Sequence, residues 1–211
     1  MNLEHFLLQF ITHQTPTYST VASAQVALDG GCRWIQLRMK DASMELLTET
    51  AHQLKELCAK YNATFIVDDH VSIALAVKAD GVHLGKNDLP IAEARRLMGP
   101  DYIIGGTANT FADIQQLVAA GVNYVGLGPF RFTQTKQNLS ALLGATGYQE
   151  ILSQCEANDI HIPIVAIGGI TVADIPTLKQ IGIQAIALSS TILQAADPVA
   201  TTEQICTLLQ D

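Results

Sequence analysis

Two aspartates carry the most pointed chemistry in this 211-residue chain. Asp69 and Asp88 both belong to the stretch Phe65 to Asp88, FIVDDHVSIALAVKADGVHLGKND. The apolar runs Thr64–Val67 and Gly81–Leu84 read as strands. Between them His70–Lys78 carries Val71, Ala74, Leu75 and Val77 on a helical stripe. Strand, helix, strand predicts a parallel, adjacent pair. Asp68-Asp69 and the run Gly85-Lys86-Asn87-Asp88 then leave the sheet at the same edge. Neighbouring strands lie about 5 Å apart, so one carboxylate from each can converge on a hard cation. Magnesium is commonly held this way, by one or two carboxylates with water and substrate phosphates completing its shell. Taken singly, Asp69 reads rather as a cap on the following helix and Asp88 as a solvated loop residue. The pair at equivalent strand ends is what points to a metal.

Other strand ends add anion-binding chemistry. In Gln36-Leu37-Arg38-Met39-Lys40 the period of two puts Gln36, Arg38 and Lys40 on one face. Two cations at a strand end are costly to bury unpaired. A polyphosphate would satisfy both, and an ion pair with Asp68 or Asp69 is the structural alternative. Thr107 and Asn109 follow the next strand as hydrogen-bonding groups, while Thr110 reads as a helix cap. Residues 129–139 form a longer loop in which Arg131, Thr133, Thr135 and Lys136 suggest an anion-binding flap. Farther on, Gly168-Gly169 and Ser189-Ser190 each follow an apolar run, and a helix follows the serines. Glycines let phosphate approach backbone N–H groups, and a helix start adds its positive end. The sequence therefore predicts a metal-assisted diphosphate site and a separate monophosphate site. His83, inside its strand, reads as a hydrogen-bonded interior residue rather than as a ligand or base. Trp34 and Met39 read as packing residues.

The elements that must position these groups alternate along the chain. Strands are predicted at Leu7–Thr12, Arg33–Arg38, Thr64–Val67, Gly81–Leu84, Tyr102–Gly106, Tyr124–Gly128, Ile164–Gly168 and Ala185–Ser189. Helices are predicted over Thr17–Asp29, Ser43–Tyr61, His70–Lys78, Pro90–Met98, Thr110–Ala120, Gly147–Asn158 and Val172–Gln180, with a last one running to about Leu209. The strand cores are continuous apolar runs, as expected where both faces are covered. Gly30-Gly31, Gly81, Gly121 and Gly182 stand before strands, where helix C-caps call for positive φ. Eight evenly spaced βα units without a composition shift fit one (β/α)8 (TIM) barrel domain over residues 1–211 better than a doubly wound open sheet.

Composition narrows the function classes. Hydrophobic residues make up 48% and charged residues 15%, which fits a large core. A net charge of −8 argues against a nucleic-acid surface but allows a local pocket for small anions. Cys32, Cys58, Cys155 and Cys206 show no zinc-type spacing and no disulfide framework. No signal peptide is visible, and no apolar run approaches the ~20 residues of a membrane span. A cytoplasmic protein without membrane or nucleic-acid partners is expected, and association with copies of itself is compatible with the sequence.

The runs QLRMK, FIVDDHVSIALAVKADGVHLGKNDLP, YVGLGPFRFTQTK and IPIVAIGGI resemble those of the thiamine-phosphate synthase family, in order and over nearly the whole chain. The resemblance implies a transferase that joins a hydroxymethylpyrimidine diphosphate to a thiazole phosphate and releases pyrophosphate. It implies Mg²⁺ held by Asp69 and Asp88, and a pyrimidine diphosphate held by Gln36, Arg38 and Lys40. Thr133, Thr135 and Lys136 match the family's flap, and Gly169, Ser189 and Ser190 its thiazole-phosphate site. Arg38, Lys40 and Lys136 are then the cations set against the leaving diphosphate. Asp68 stands where the family usually has Asn, Thr107 where it has Ser, Asn109 where it has His, and Phe132 where it has Pro. A similar paralogue group, the thiazole tautomerases, uses a His after the sixth strand, where this chain has Pro129. A non-catalytic barrel that binds thiamine phosphates is the other alternative.

Overall fold

Each apolar run of the sequence becomes a strand of one closed sheet in the computed structural model, which describes residues 6–132 and 141–210. The strands are β1 (Leu8–Ile11), β2 (Trp34–Leu37), β3 (Thr64–Asp68), β4 (Gly81–Leu84), β5 (Ile103–Ala108), β6 (Tyr124–Leu127), β7 (Ile164–Ile167) and β8 (Ala185–Leu188). All pair in parallel with their sequence neighbours, and β8 pairs with β1. Helices α1 (Thr20–Asp29), α2 (Met44–Lys60), α3 (Val71–Ala76), α4 (Ile91–Met98), α5 (Phe111–Ala120), α6 (Gly144–Ala157) and α7 (Ile175–Ile181) connect them. A (β/α)8 barrel is the result.

Two apolar clusters hold it together. The larger joins the outward strand residues to the helices. The smaller fills the barrel interior with Trp34, Ile66, Tyr124, Val165, Ala185 and Ala187. Side chains alternate across a strand, which is why both faces of these short strands are apolar. Among the described residues no helix is long and apolar enough to cross a membrane, and all four cysteines are free thiols.

Several boundaries differ from the sequence expectation. Helix α1 starts at Thr20 rather than Thr17 because Ser19 caps it, accepting from the Ala22 N–H at 3.2 Å. The last predicted helix is two: α8 (Ser190–Leu193) and α9 (Pro198–Gln210). The break falls at Asp197-Pro198, where Asp197 accepts from the Ala200 N–H at 3.0 Å and proline opens the new helix. Gly31, Gly121 and Gly182 do take positive φ before strands. Gly81 does not. It lies inside β4, where a Cβ would meet the Ile103 carbonyl oxygen at 1.9 Å, so close strand approach requires the glycine.

Candidate active site

The alternation that turns Trp34 and Ile66 into the barrel also turns in the residues two positions farther along. Gln36 and Asp68 thereby rise above the apolar floor, and the register sets Asp68 opposite His83 and Thr107 opposite Gly126. A pocket opens at the C-terminal ends of the strands. Gln36, Arg38, Lys40, Asp68 and Asp69 line one side of it, and Gly168, Gly169, Ser189 and Ser190 line the other.

On the first side, the cations are paired with carboxylates. Gln36 Nε2 donates to Asp68 Oδ1 at 2.8 Å, and Arg38 Nε lies 3.6 Å from Asp68 Oδ2. Burial, and then the charge of Asp69, push the Asp68 carboxyl up to about 7 against the opposing pull of Arg38 and Lys40. Lys40 Nζ donates to Asp69 Oδ2 at 2.9 Å. Burial works to lower the Lys40 ammonium, but Asp69 holds it above its ordinary value.

The chain turns sharply at Asp69, which has φ of +64°. Its N–H still donates to the His83 carbonyl at 2.9 Å. His70, not Asp69, occupies the N-cap of α3, and no side-chain bond caps that helix. The capping role open to Asp69 in the sequence is therefore not the one it has. Asp88 lies outside the pocket wall, and its Oδ2 accepts from the Gly85 N–H at 2.7 Å. The Asp69 and Asp88 carboxyls meet. Burial and then Asp69 raise the Asp88 carboxyl, whereas bonding to Asp88 and Lys40 holds Asp69 below the usual range despite burial. Such a pair is arranged to share one positive partner, a proton or a metal ion.

These residues fit a magnesium ion. Among the described residues no group of three or more His, Cys, Asp or Glu could hold a metal. The two carboxylates that meet would supply part of a shell and leave the rest to water and substrate oxygens, an arrangement that magnesium accepts.

The far side departs further from expectation. Gly168 and Gly169 both have positive φ, at +97° and +66°. The space a Cβ would need is filled by Pro129 for Gly168 and by Arg131 and Phe132 for Gly169, so these glycines admit the loop after β6. Arg131 is not an available anion ligand. Its two terminal nitrogens each donate to Asp174 at 2.7 Å, and one also reaches the Gly169 carbonyl at 3.1 Å. Helix α8 is only four residues long, so its dipole adds little. Ser189 offers a clearer signal, because its buried Oγ has no hydrogen-bond partner among the described residues. Thr110 caps α5 in a capping box with Asp113, as its sequence predicts. Asn109 Nδ2 donates to the Gly128 carbonyl at 2.5 Å. Thr133, Thr135 and Lys136 lie outside the described residues.

The Arg131 guanidinium holds the Asp174 carboxyl down at about 2. A free aspartate takes its proton near pH 3.9, so this contribution to stability is complete above that pH and is lost as pH falls through the folded value. Asp174→Asn should cost about 1–2 kcal/mol at pH 7 and flatten the acid slope between about pH 4 and pH 2. Urea unfolding at a series of pH values reads both, and a wild-type midpoint in the variant would leave the pair without energetic weight.

Sequence reasoning passed over some contributors. Thr12 lines the pocket and accepts from the Arg38 N–H at 3.0 Å, and only its place at a strand end could have marked it. Gln9 and Tyr124 lie under the pocket and reach it through His83, across strands whose register no local pattern encodes.

Comparison with known proteins fits this geometry. A family profile described as thiamine monophosphate synthase matches residues 8–192. The thiamine-phosphate synthase of Phocaeicola vulgatus is 57% identical over 201 residues, which are 95% of this chain and 97% of that protein. The one from Bacteroides fragilis is 58% identical over 198 residues, 94% and 97% of the two chains. Among solved structures, thiamine phosphate pyrophosphorylase from Pyrococcus furiosus superposes with a TM-score of 0.86 at 32% identity, covering 99% of this chain and 98% of that one. By its sequence, its barrel and its relatives, the chain belongs to the thiamine-phosphate synthase family of transferases.

Proposed function

We propose that this barrel, acting as one domain, joins 4-amino-2-methyl-5-hydroxymethylpyrimidine diphosphate to a thiazole phosphate and releases pyrophosphate. The observation that carries the reading is one pocket at the strand ends that is lined both by cations with paired carboxylates and by a glycine-serine segment. The diphosphate lies on the side of Arg38 and Lys40, with Gln36, Asp68 and Thr107 around the pyrimidine. The thiazole phosphate lies on the side of Gly168, Gly169, Ser189 and Ser190. Ser189 supplies a hydroxyl that is already desolvated and has no partner among the described residues.

The C–O bond between the pyrimidine methylene and the diphosphate breaks, and its electron pair leaves with the diphosphate. The electron-rich aminopyrimidine spreads the resulting positive charge. The lone pair of the thiazole nitrogen then forms the new C–N bond, so no general base is needed. Arg38 and Lys40 meet the leaving group's charge, and Lys136 is the third cation assigned to it. Their pairing with Asp68 and Asp69 keeps them placed before substrate arrives. Magnesium bound at Asp69 and Asp88 would supply further positive charge against the diphosphate oxygens. The serine side anchors the second substrate by its phosphate tail and aims its nitrogen at the methylene carbon.

An assay with both substrates and Mg²⁺ tests the reading. Thiamine phosphate and pyrophosphate should form in equal amounts, and only when all three components are present. Tight binding of both substrates without turnover would instead establish a non-catalytic binding barrel.

A further inference from the structure

A chain of side-chain hydrogen bonds runs beneath the pocket from one side of the barrel to the other. Gln9 Nε2 on β1 donates to Tyr124 Oη on β6 at 3.1 Å. Tyr124 Oη lies 3.0 Å from His83 Nδ1 on β4, and His83 Nε2 lies 2.9 Å from Thr107 Oγ1 on β5. The first two members are hidden from the pocket, whereas His83 and Thr107 line it.

The barrel is carved to hold both rings. A Cβ on Gly105 would lie 2.1 Å from Tyr124 Cζ, and one on Gly126 would lie 3.0 Å from His83 Cε1. Trp34 packs edge-on against the Tyr124 ring at 4.8 Å. Both rings pack where a neighbouring side chain would not fit, and the Tyr124 ring also packs on the indole, so packing holds the rings toward these hydrogen-bond partners.

Donor and acceptor capacity then sets the direction of the chain. An amide nitrogen only donates, so Tyr124 Oη accepts from Gln9. Burial pushes the Tyr124 hydroxyl well above the usual tyrosine range, and it remains a neutral phenol with one hydrogen to place. Among the described residues, His83 Nδ1 is the acceptor in reach. A ring nitrogen that accepts carries no proton, which places the imidazole hydrogen on Nε2, facing Thr107 Oγ1. Thr107 accepts that hydrogen, and its own is left to point elsewhere.

We propose that Gln9 and Tyr124 are positioning residues that fix His83 as its neutral Nε2–H tautomer, so that Thr107 presents its hydroxyl hydrogen to an acceptor atom of the bound substrate. This rests on the assigned reaction only for the identity of that substrate. The consequence is selectivity. A substrate with an acceptor at this point is held, and an analogue with a donor there meets a second donor and is rejected, because a buried polar group left unpaired costs more than a bond gained.

The full chain labelled with ¹⁵N-histidine, without substrates, tests the tautomer directly. At pH 7 the His83 signals should show a protonated Nε2 and a bare Nδ1. An Nδ1–H tautomer or an imidazolium overturns the proposal. In the turnover assay, Tyr124→Phe should lower kcat/KM by about tenfold and mix the two tautomers, while Thr107→Val should lose about as much and Thr107→Ser, which keeps the hydroxyl, should lose clearly less than Thr107→Val. Wild-type kcat/KM in Tyr124→Phe would overturn the relay. Because the spectrum is recorded without substrates, an inactive wild-type enzyme overturns the assigned reaction alone. The wrong tautomer in an active enzyme overturns the relay alone.

Discussion

Asp69→Asn and Asp88→Asn should each lower kcat for thiamine phosphate formation by about 10²–10³-fold while leaving the unfolding midpoint nearly unchanged. The amide is the right substitution at both places. Asparagine tolerates the φ of +64° at position 69. At position 88 an amide oxygen can still accept from the Gly85 N–H, which keeps that turn. What each variant loses is one of the two carboxyls that meet beside the pocket. Lys40 would lose its partner in Asp69→Asn, but at 45% side-chain exposure its ammonium returns to water at small cost. Stability and turnover should therefore separate. Raising Mg²⁺ should recover part of the rate in Asp88→Asn, and removing divalent ions from the wild type with a chelator should abolish turnover without unfolding the barrel. Near-normal activity in either variant at low Mg²⁺ would show that these carboxylates hold no metal.

The part of this site that was legible in the sequence is the part carried by strand ends. Asp69, Gln36, Arg38 and Lys40 could be placed because a strand's direction and its period of two decide where the last residues point. The pairing of Asp68 with Arg38 was half legible. The two residues end neighbouring strands, but the balance between burial and Coulomb attraction depends on distances that a sequence does not contain. Asp88 was expected to converge with Asp69 on a metal; the two carboxyls do meet, and the turn closed by the Gly85 N–H is what fixes the position of Asp88.

Other features were hidden because they are long-range. Tyr124 lies 41 residues from His83 and 115 from Gln9, so only closure of the barrel brings them together. The same holds for Arg131, a cation on a polar loop by sequence and the partner of Asp174, 43 residues away, in the fold. The break between α8 and α9 differs in kind. Asp197-Pro198 is a local helix-start signal, and its physics was available in the sequence.

Ser190→Asp should separate the two anion sites. The side chain lies in the glycine-serine lining of the pocket, half-buried, next in sequence to Ser189, whose Oγ has no partner among the described residues. An aspartate there is compatible with the fold, because the position is half-buried at the pocket wall, where a carboxylate keeps part of its contact with water. It places a negative charge where the thiazole phosphate is proposed to bind. Two like charges a few ångströms apart at a partly solvated site repel by about 1–3 kcal/mol. The dissociation constant for the thiazole phosphate should accordingly rise about 10- to 100-fold. Binding of the pyrimidine diphosphate with Mg²⁺ should hardly change, since Arg38, Lys40 and Asp69 follow β2 and β3 whereas Ser190 follows β8. Separate calorimetric titrations of the two substrates give both numbers. Raising the salt concentration should shrink the loss, because the repulsion is screened, whereas steric exclusion by the longer side chain would be indifferent to salt. Ser190→Asn, nearly the same size and uncharged, provides that control. Equal losses for both substrates would mean that a single pocket takes either anion, and no loss for the thiazole phosphate would remove Ser190 from its site.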